Sequence, residues 1–209
     1  MLPTAGPLLF VLCTALPLCA QLPSPAAALP TPSSGALSFR EQASIYLHRT
    51  FSVGAFMAAA APATFRMVSP PRTMDTQWRQ GTGGFGRNLG DFTATELTAS
   101  TTRFLYSAAM REDPRYVRSQ SGSVPLRILH AIAWTGMARS SSGHPRPSLA
   151  VFASAAAGGF VTTTYAAPGF ADSVHAGQRA LMVWGGAAAS NIFEEFAPEI
   201  KRLRARLHH

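Results

Sequence analysis

The sequence predicts an all-α fold, a compact bundle of about five helices with kinks at Pro62 and Pro198. Three observations carry this reading. Small and apolar residues recur at helical spacing, capping residues and prolines cut the chain into helix-length pieces, and the two-residue alternation of strands is nearly absent. Residues 1–20 read as an export signal, because the uncharged run from Pro7 to Leu16 is followed by Leu18-Cys19-Ala20, after which a peptidase could cut before Gln21. Residues 21–37, QLPSPAAALPTPSSGAL, carry no charge and are dense in Pro, Ala and Ser, which describes a disordered tether. Residues 38–209 then form a single helical domain.

That domain begins at Ser38-Phe39-Arg40-Glu41, a capping box in which hydroxyl and carboxylate satisfy free amides at a helix start. Ala43, Tyr46, Leu47, Thr50, Phe51, Gly54, Met57, Ala58 and Ala61 follow on one helical face, and Pro62 is expected to kink or end the helix. Ser69-Pro70-Pro71 closes the segment. Four glycines in the stretch from Gly81 to Gly86, flanked by Trp78 and Phe85, predict a tight structural turn. A long helix should follow, with Leu89, Phe92, Leu97, Phe104, Leu105 and Ala108 available for burial, until Glu112-Asp113-Pro114 stops it. Ser123 and Pro125 mark the start of a third helix through Leu126, Leu129, Ala133 and Met137. Residues 140–145 form a loop, Ser148 caps an uncharged helix reaching towards Pro168-Gly169, and Asp172 or Ser173 opens the last and longest segment. Its basic end, Lys201 to Arg206, suits the carboxyl end of a helix dipole.

The net charge is +8, from seventeen arginines and one lysine against ten acids, all beyond the leader. The arginine excess fits phosphate recognition, and equally the base composition of a GC-rich genome. For an exported chain the anionic partners on offer are lipid headgroups and envelope polymers, and no nucleic acid is expected. Both cysteines, Cys13 and Cys19, lie in the leader, so the domain is expected to have no disulfide, thiolate nucleophile or Cys-ligated metal. The histidines, His48, His130, His144, His175, His208 and His209, show no ligand spacing; no metal and no cofactor is expected. No serine sits in a nucleophile-elbow frame.

Three clusters are candidates for a site. The Gly81–Gly86 stretch invites comparison with phosphate-cradling loops, with Arg79 and Arg87 supplying positive charge at its ends, but it has no Walker lysine and no preceding strand. Glu112, Asp113, Arg115, Tyr116 and Arg118 form the densest charged and aromatic group. Its carboxylates could hold a sugar or a cation, or Arg115 could pair with an acid while Tyr116 folds back onto the bundle. His130, Trp134 and Arg127 share one face of the third helix. The uncharged run from Ser148 to Ala171 has the length of a membrane span, diluted by serines, threonines and glycines.

The ordered set Trp78-x-x-Gly81-x-x-Gly84-Phe85-Gly86-Arg87, Asp113-Pro114-Arg115-Tyr116-x-Arg118 and Asn191-x-x-x-Glu195-Phe196-x-Pro198-Glu199-Ile200 resembles a group of short exported bacterial proteins of unknown function. The chain departs from that pattern at Ala197, where the group has Trp, and in lacking a Thr-Asp pair before Ser142-Gly143. The resemblance implies an exported helical domain and supplies no activity. The sequence therefore predicts a non-enzymatic protein of the periplasm or the envelope membrane surface, contacting anionic lipid or envelope polymer through arginine-rich patches. Two other readings stay open: an integral membrane protein with a helical hairpin of residues 149–167 and 180–193, and a carbohydrate-active or other hydrolase built on Glu112, Asp113 and Tyr116.

Overall fold

The computed structural model describes residues 37–207; the expected signal, all of the tether but Leu37, both cysteines and the terminal histidines lie outside them. Among the described residues the chain forms seven α-helices, one short 3-10 helix and one two-stranded hairpin. The all-α reading holds. The helices number more than five because the first predicted helix is two and a one-turn helix precedes the long one.

Helix α1, Phe39–Thr50, starts at the predicted capping box: the Ser38 amide donates to Glu41 Oε2 at 2.8 Å and the Glu41 amide to Ser38 Oγ at 3.3 Å. The break falls at Phe51-Ser52, ten residues before Pro62. Ser52 recaps the chain by accepting the Ala55 amide, and helix α2, Val53–Val68, leaves at 43° to α1. Pro62 lies inside α2 and does not end it. The capping serine offers the backbone a local alternative to continuing, whereas Pro62 removes only one donor from a helix already propagating.

Helix α3, Thr76–Arg79, is capped by Asp75. The glycine-rich stretch is not a turn, as the sequence suggested, but the first turns of helix α4, Gly81–Ala109. Only Gly81 has the left-handed φ of 66° that turns the chain from α3 into α4. Leu97 and Leu105, expected inside, are exposed. The buried face of α4 is Gly84, Asn88, Asp91, Thr95, Ala99 and Ser107.

Helix α5, Val124–Thr135, has Pro125 in its first turn as predicted but ends at Gly136, short of Met137, which the sequence had placed on it. Strands β1, Met137–Arg139, and β2, Pro145–Pro147, pair antiparallel with Ala138 opposite Arg146. The sequence offered no alternation here because each strand is three residues long. Helix α6, Leu149–Phe160, is capped by Ser148 and stops well short of Pro168. Thr162, Thr163 and Thr164 each turn their hydroxyls onto the carbonyl three residues back, and Val161–Thr164 tightens into the 3-10 helix. Helix α7, Ser173–Leu207, runs through Pro198, with the Asp172 carboxylate accepting the amides of Val174 and His175 at its start.

Helix α6 sits between α4 and α7, α1 and α2 also pack against α4, and α5 packs against α7. The approach needs glycine. A Cβ on Gly158 would lie 2.9 Å from the Ala99 Cβ, and one on Gly159 would run into the Ala176 carbonyl oxygen and lie 2.7 Å from the Ala180 amide. Among the described residues ten of thirteen buried apolar residues are alanine, with only Met74, Trp78 and Val151 larger, while twenty-four large apolar residues are exposed. No single helix among the described residues is long and apolar enough to cross a membrane; the bent pair α1 and α2 meets that measure together.

Gly159→Ala should destabilise the fold by about 2 kcal/mol or more, because the added methyl meets backbone that cannot yield. At Gly185 a Cβ meets nothing within 4 Å, so Gly185→Ala should be neutral or stabilising by up to about 1 kcal/mol through helix propensity. Thermal or denaturant unfolding of the two variants tests the packing directly.

Candidate functional site

Two ionic clusters sit at opposite ends of the α4–α6–α7 layer. At one end the buried carboxylate of Asp91 joins three helices. Arg66 of α2 donates from Nη1 to Asp91 Oδ2 at 2.6 Å, and Arg179 of α7 holds the same carboxylate in a fork through Nη1 to Oδ1 and Nη2 to Oδ2. Asn88 orients Arg66 through Oδ1 at 3.1 Å and ties α3 to α4 by donating to the Trp78 and Gly84 carbonyls. The Arg66 guanidinium also lies 4.3 Å from the Phe92 ring centroid. Two cations on one anion leave the cluster one positive charge in excess.

At the other end Glu195 of α7 is 1% exposed. It accepts the Tyr116 hydroxyl at 2.8 Å, the Ser119 amide at 3.0 Å and Arg127 Nε at 2.7 Å. Arg127 reaches on to Glu199 and lies 4.2 Å from the Phe196 ring centroid. Beside it His130 stacks on Trp134 and hydrogen-bonds to the Val117 carbonyl through Nε2. Burial works to raise the Glu195 carboxyl, but Arg127, the Ser119 amide and the Tyr116 hydroxyl outweigh it and hold it below the ordinary carboxylate range. Burial first, and then the bond to Glu195, push the Tyr116 hydroxyl well above its ordinary range. A tyrosine kept protonated against an ionised carboxylate is a fixed donor. It ties the connection after α4 to α7.

The residues singled out from the sequence are thereby dispersed. Glu112 is buried, accepts the Ser148 hydroxyl at 2.7 Å and lies 3.8 Å from Arg146. Asp113 is held in a fork by Arg115, as one of the two sequence readings had it. Tyr116 goes to Glu195 and Arg118 to the Glu194 carbonyl. Glu112, Asp113 and Tyr116 thus serve three different partners, and no pair of them faces a common substrate position. Arg87 donates to the Gln77 carbonyl, and the Nε of Arg79 is buried without a partner. No group of His, Cys, Asp or Glu among the described residues has the geometry of a metal site.

Sequence reasoning missed the Arg66–Asp91–Arg179 cluster altogether. Its signal was there: Asp91 falls on the helical stripe Gly84, Asn88, Asp91, Thr95 and Ala99, where small residues announce close packing and a charge needs a partner. Nothing local to Arg66 or Arg179 marks them as that partner. Compared with known proteins, the chain matches no family model, no curated sequence and no solved structure.

Asp91→Ala leaves two guanidinium groups facing each other in a buried site and should cost about 3 to 5 kcal/mol. Loss of the half-exposed Arg49–Glu194 pair should cost less than about 1 kcal/mol. For Glu195, whose folded carboxyl is lowered, the stabilisation is full above the unfolded value and lost as pH falls below about 4.3. For Tyr116, whose folded hydroxyl is raised, it is full below about pH 10 and lost as pH rises further. Denaturant midpoints across pH should show both limbs, and Tyr116→Phe should flatten the alkaline one.

Proposed function

We propose that this chain is an exported, non-enzymatic protein seated in a membrane of the cell envelope, its large apolar side chains among lipid acyl chains and its arginine-rich ends at anionic headgroups. The observation that carries this reading is the inverted distribution of side chains. Alanine, glycine, serine and ionic clusters lie inside, whereas Leu126, Leu129, Leu149, Phe152, Phe160 and Leu181 face outward. In water that arrangement forgoes about 1.5 to 3 kcal/mol for each large side chain left outside. In lipid it is the expected one, because outward chains meet an equally apolar solvent and helices associate through small residues and polar contacts.

The placement of charge supports the same reading. Between Arg179 and Glu194, α7 carries no charged residue, a rise of about 22 Å at 1.5 Å per residue. α6 carries none, α2 carries none before Arg66, and α4 has only Glu96 between Asp91 and Arg103. The ionic clusters bound this band at both ends. Its height falls somewhat short of the ~30 Å of a bilayer's hydrocarbon, a mismatch that local thinning accommodates. Six arginines, Arg49, Arg66, Arg115, Arg127, Arg146 and Arg179, are paired internally. The exposed run Lys201 to Arg206 remains for headgroups. A hydrolase has no support from the dispersed Glu112, Asp113 and Tyr116.

Fractionation of cells expressing the full chain should leave the protein with membranes after alkaline carbonate washing and release it only with detergent. In vesicle flotation, replacing Leu126 and Leu129 together by serine should lower partitioning by at least about 30-fold while helicity is unchanged. A monomer that stays monodisperse in water without detergent would sink the proposal. A discrete water-soluble oligomer would sink it too, since copies of the chain would then cover the apolar surface.

A further inference from the structure

An apolar groove of about 440 Å³ runs between α6 and α7. Phe152 and Phe160 of α6 and Leu181 and Trp184 of α7 line it, with Gly177 and Ala180 between them, and none of its lining residues is charged. Leu181 is 70% exposed, and both phenylalanines are exposed as well. Two glycines shape the groove. Gly159 brings α6 down onto α7 at Ala180, which sets the floor, whereas a Cβ on Gly177 would meet nothing within 4 Å, so the space above it is open.

The groove does not lie midway between the two ionic ends. Along α7 it extends from Gly177 to Trp184, a rise of about 10 Å at 1.5 Å per residue. Arg179, which reaches Asp91, falls within that stretch, while Glu194 lies about 15 Å beyond Trp184. The groove thus occupies the half of the charge-free band next to the Asp91 end. Among the described residues that end carries five arginines, Arg66, Arg72, Arg79, Arg87 and Arg179, against three acids, Asp75, Asp91 and Asp172, an excess of two positive charges. An uncharged slot that opens beside a net cationic rim is complementary to hydrocarbon attached to an anionic head.

We propose that this groove holds one acyl chain of an anionic phospholipid from the leaflet at the Asp91 end, with its phosphate beside the arginines there. The inference rests on the membrane reading and adds which lipid, which leaflet and which pair of helices. A zwitterionic phospholipid offers the same hydrocarbon but brings a cation of its own to a rim that is already positive. A second copy of the chain, inserted in the same direction, would bring its own cationic end against this one.

Native mass spectrometry of the full chain in detergent tests it with two probes, phosphatidylglycerol and the phosphatidylcholine that has the same acyl chains. Expected is one saturable phosphatidylglycerol per chain, with phosphatidylcholine bound at least about tenfold more weakly. Gly177→Leu is the decisive variant. Its side chain enters open groove and not packed protein, so the thermal midpoint without lipid should hold or rise through helix propensity, while lipid affinity falls at least about tenfold. Quenching by phosphatidylglycerol with a brominated acyl chain, read as the difference between the chain and its Trp184→Phe variant, should report the hydrocarbon beside Trp184. Equal binding of the two lipids, unchanged affinity in Gly177→Leu, or a dimer in detergent that shields Trp184 from the quencher would each overturn the proposal. A protein that withstands carbonate washing yet takes up no saturable lipid would remove this inference and leave the membrane reading standing; release by carbonate would remove both.

Discussion

Gly158 and Gly159 stand side by side on α6, one turned to α4 and the other to α7, and the rest of the molecule is arranged around the contact they allow. Helices that approach until a methyl group no longer fits leave room between them for little more than alanine, serine, threonine and glycine. That accounts for the alanine core, for the buried Thr95, Ser154 and Thr162, and for the outward position of leucines and phenylalanines that have nowhere inside to go. Close approach also brings α4 and α7 near enough for Arg179 to span to Asp91. Packing of this kind gains less from removing apolar area from water than a core of large side chains does. The burden shifts to close contact and to buried ion pairs.

Those ion pairs do different work from surface pairs. The carboxylates of Asp91 and Glu195 are almost fully withdrawn from solvent, and each is met by more than one donor. Such groups add modest net stability when complete and a large penalty when broken, so they specify which helices meet rather than drive the collapse. Asp91 selects α2, α4 and α7 at one end. Glu195 selects α5, α7 and the connection that carries Tyr116 at the other. The motif pieces containing Asp113 to Arg118 and Asn191 to Ile200, separated by some seventy residues, thereby become one polar cluster.

Much of the local structure was legible. The capping box at Ser38, the cap at Ser148 and the opening of α7 at Asp172 follow from side chains that satisfy nearby backbone groups, and Pro125 falls in the first turn of α5 because its fixed φ suits a helix start. The errors share one cause. The glycine-rich stretch looked like a turn because glycine permits turns, yet in α4 it lies against α3 in helical conformation. Leu97 and Leu105 looked like core because leucine usually is, yet their face of α4 is not the one that α6 covers. Of the candidate site, Tyr116 and Glu195 were visible as motif residues, but their bond was not, and nothing beside Arg66 or Arg179 marked them as partners of Asp91.

What the sequence determined by itself was decided within a few residues: where α1, α5, α6 and α7 begin, that there are almost no strands, and that long stretches carry no charge. Which face of each helix is buried, which arginine meets which acid, and how closely α6 approaches its neighbours were settled only by the tertiary structure. The physical reason is range. Caps and turns are closed by hydrogen bonds across three or four positions, whereas the contact at Gly158 and Gly159 and the bridges at Asp91 and Glu195 join residues some twenty to ninety positions apart. Their partners are chosen by the shape of the assembled helices and not by anything written beside them in the chain.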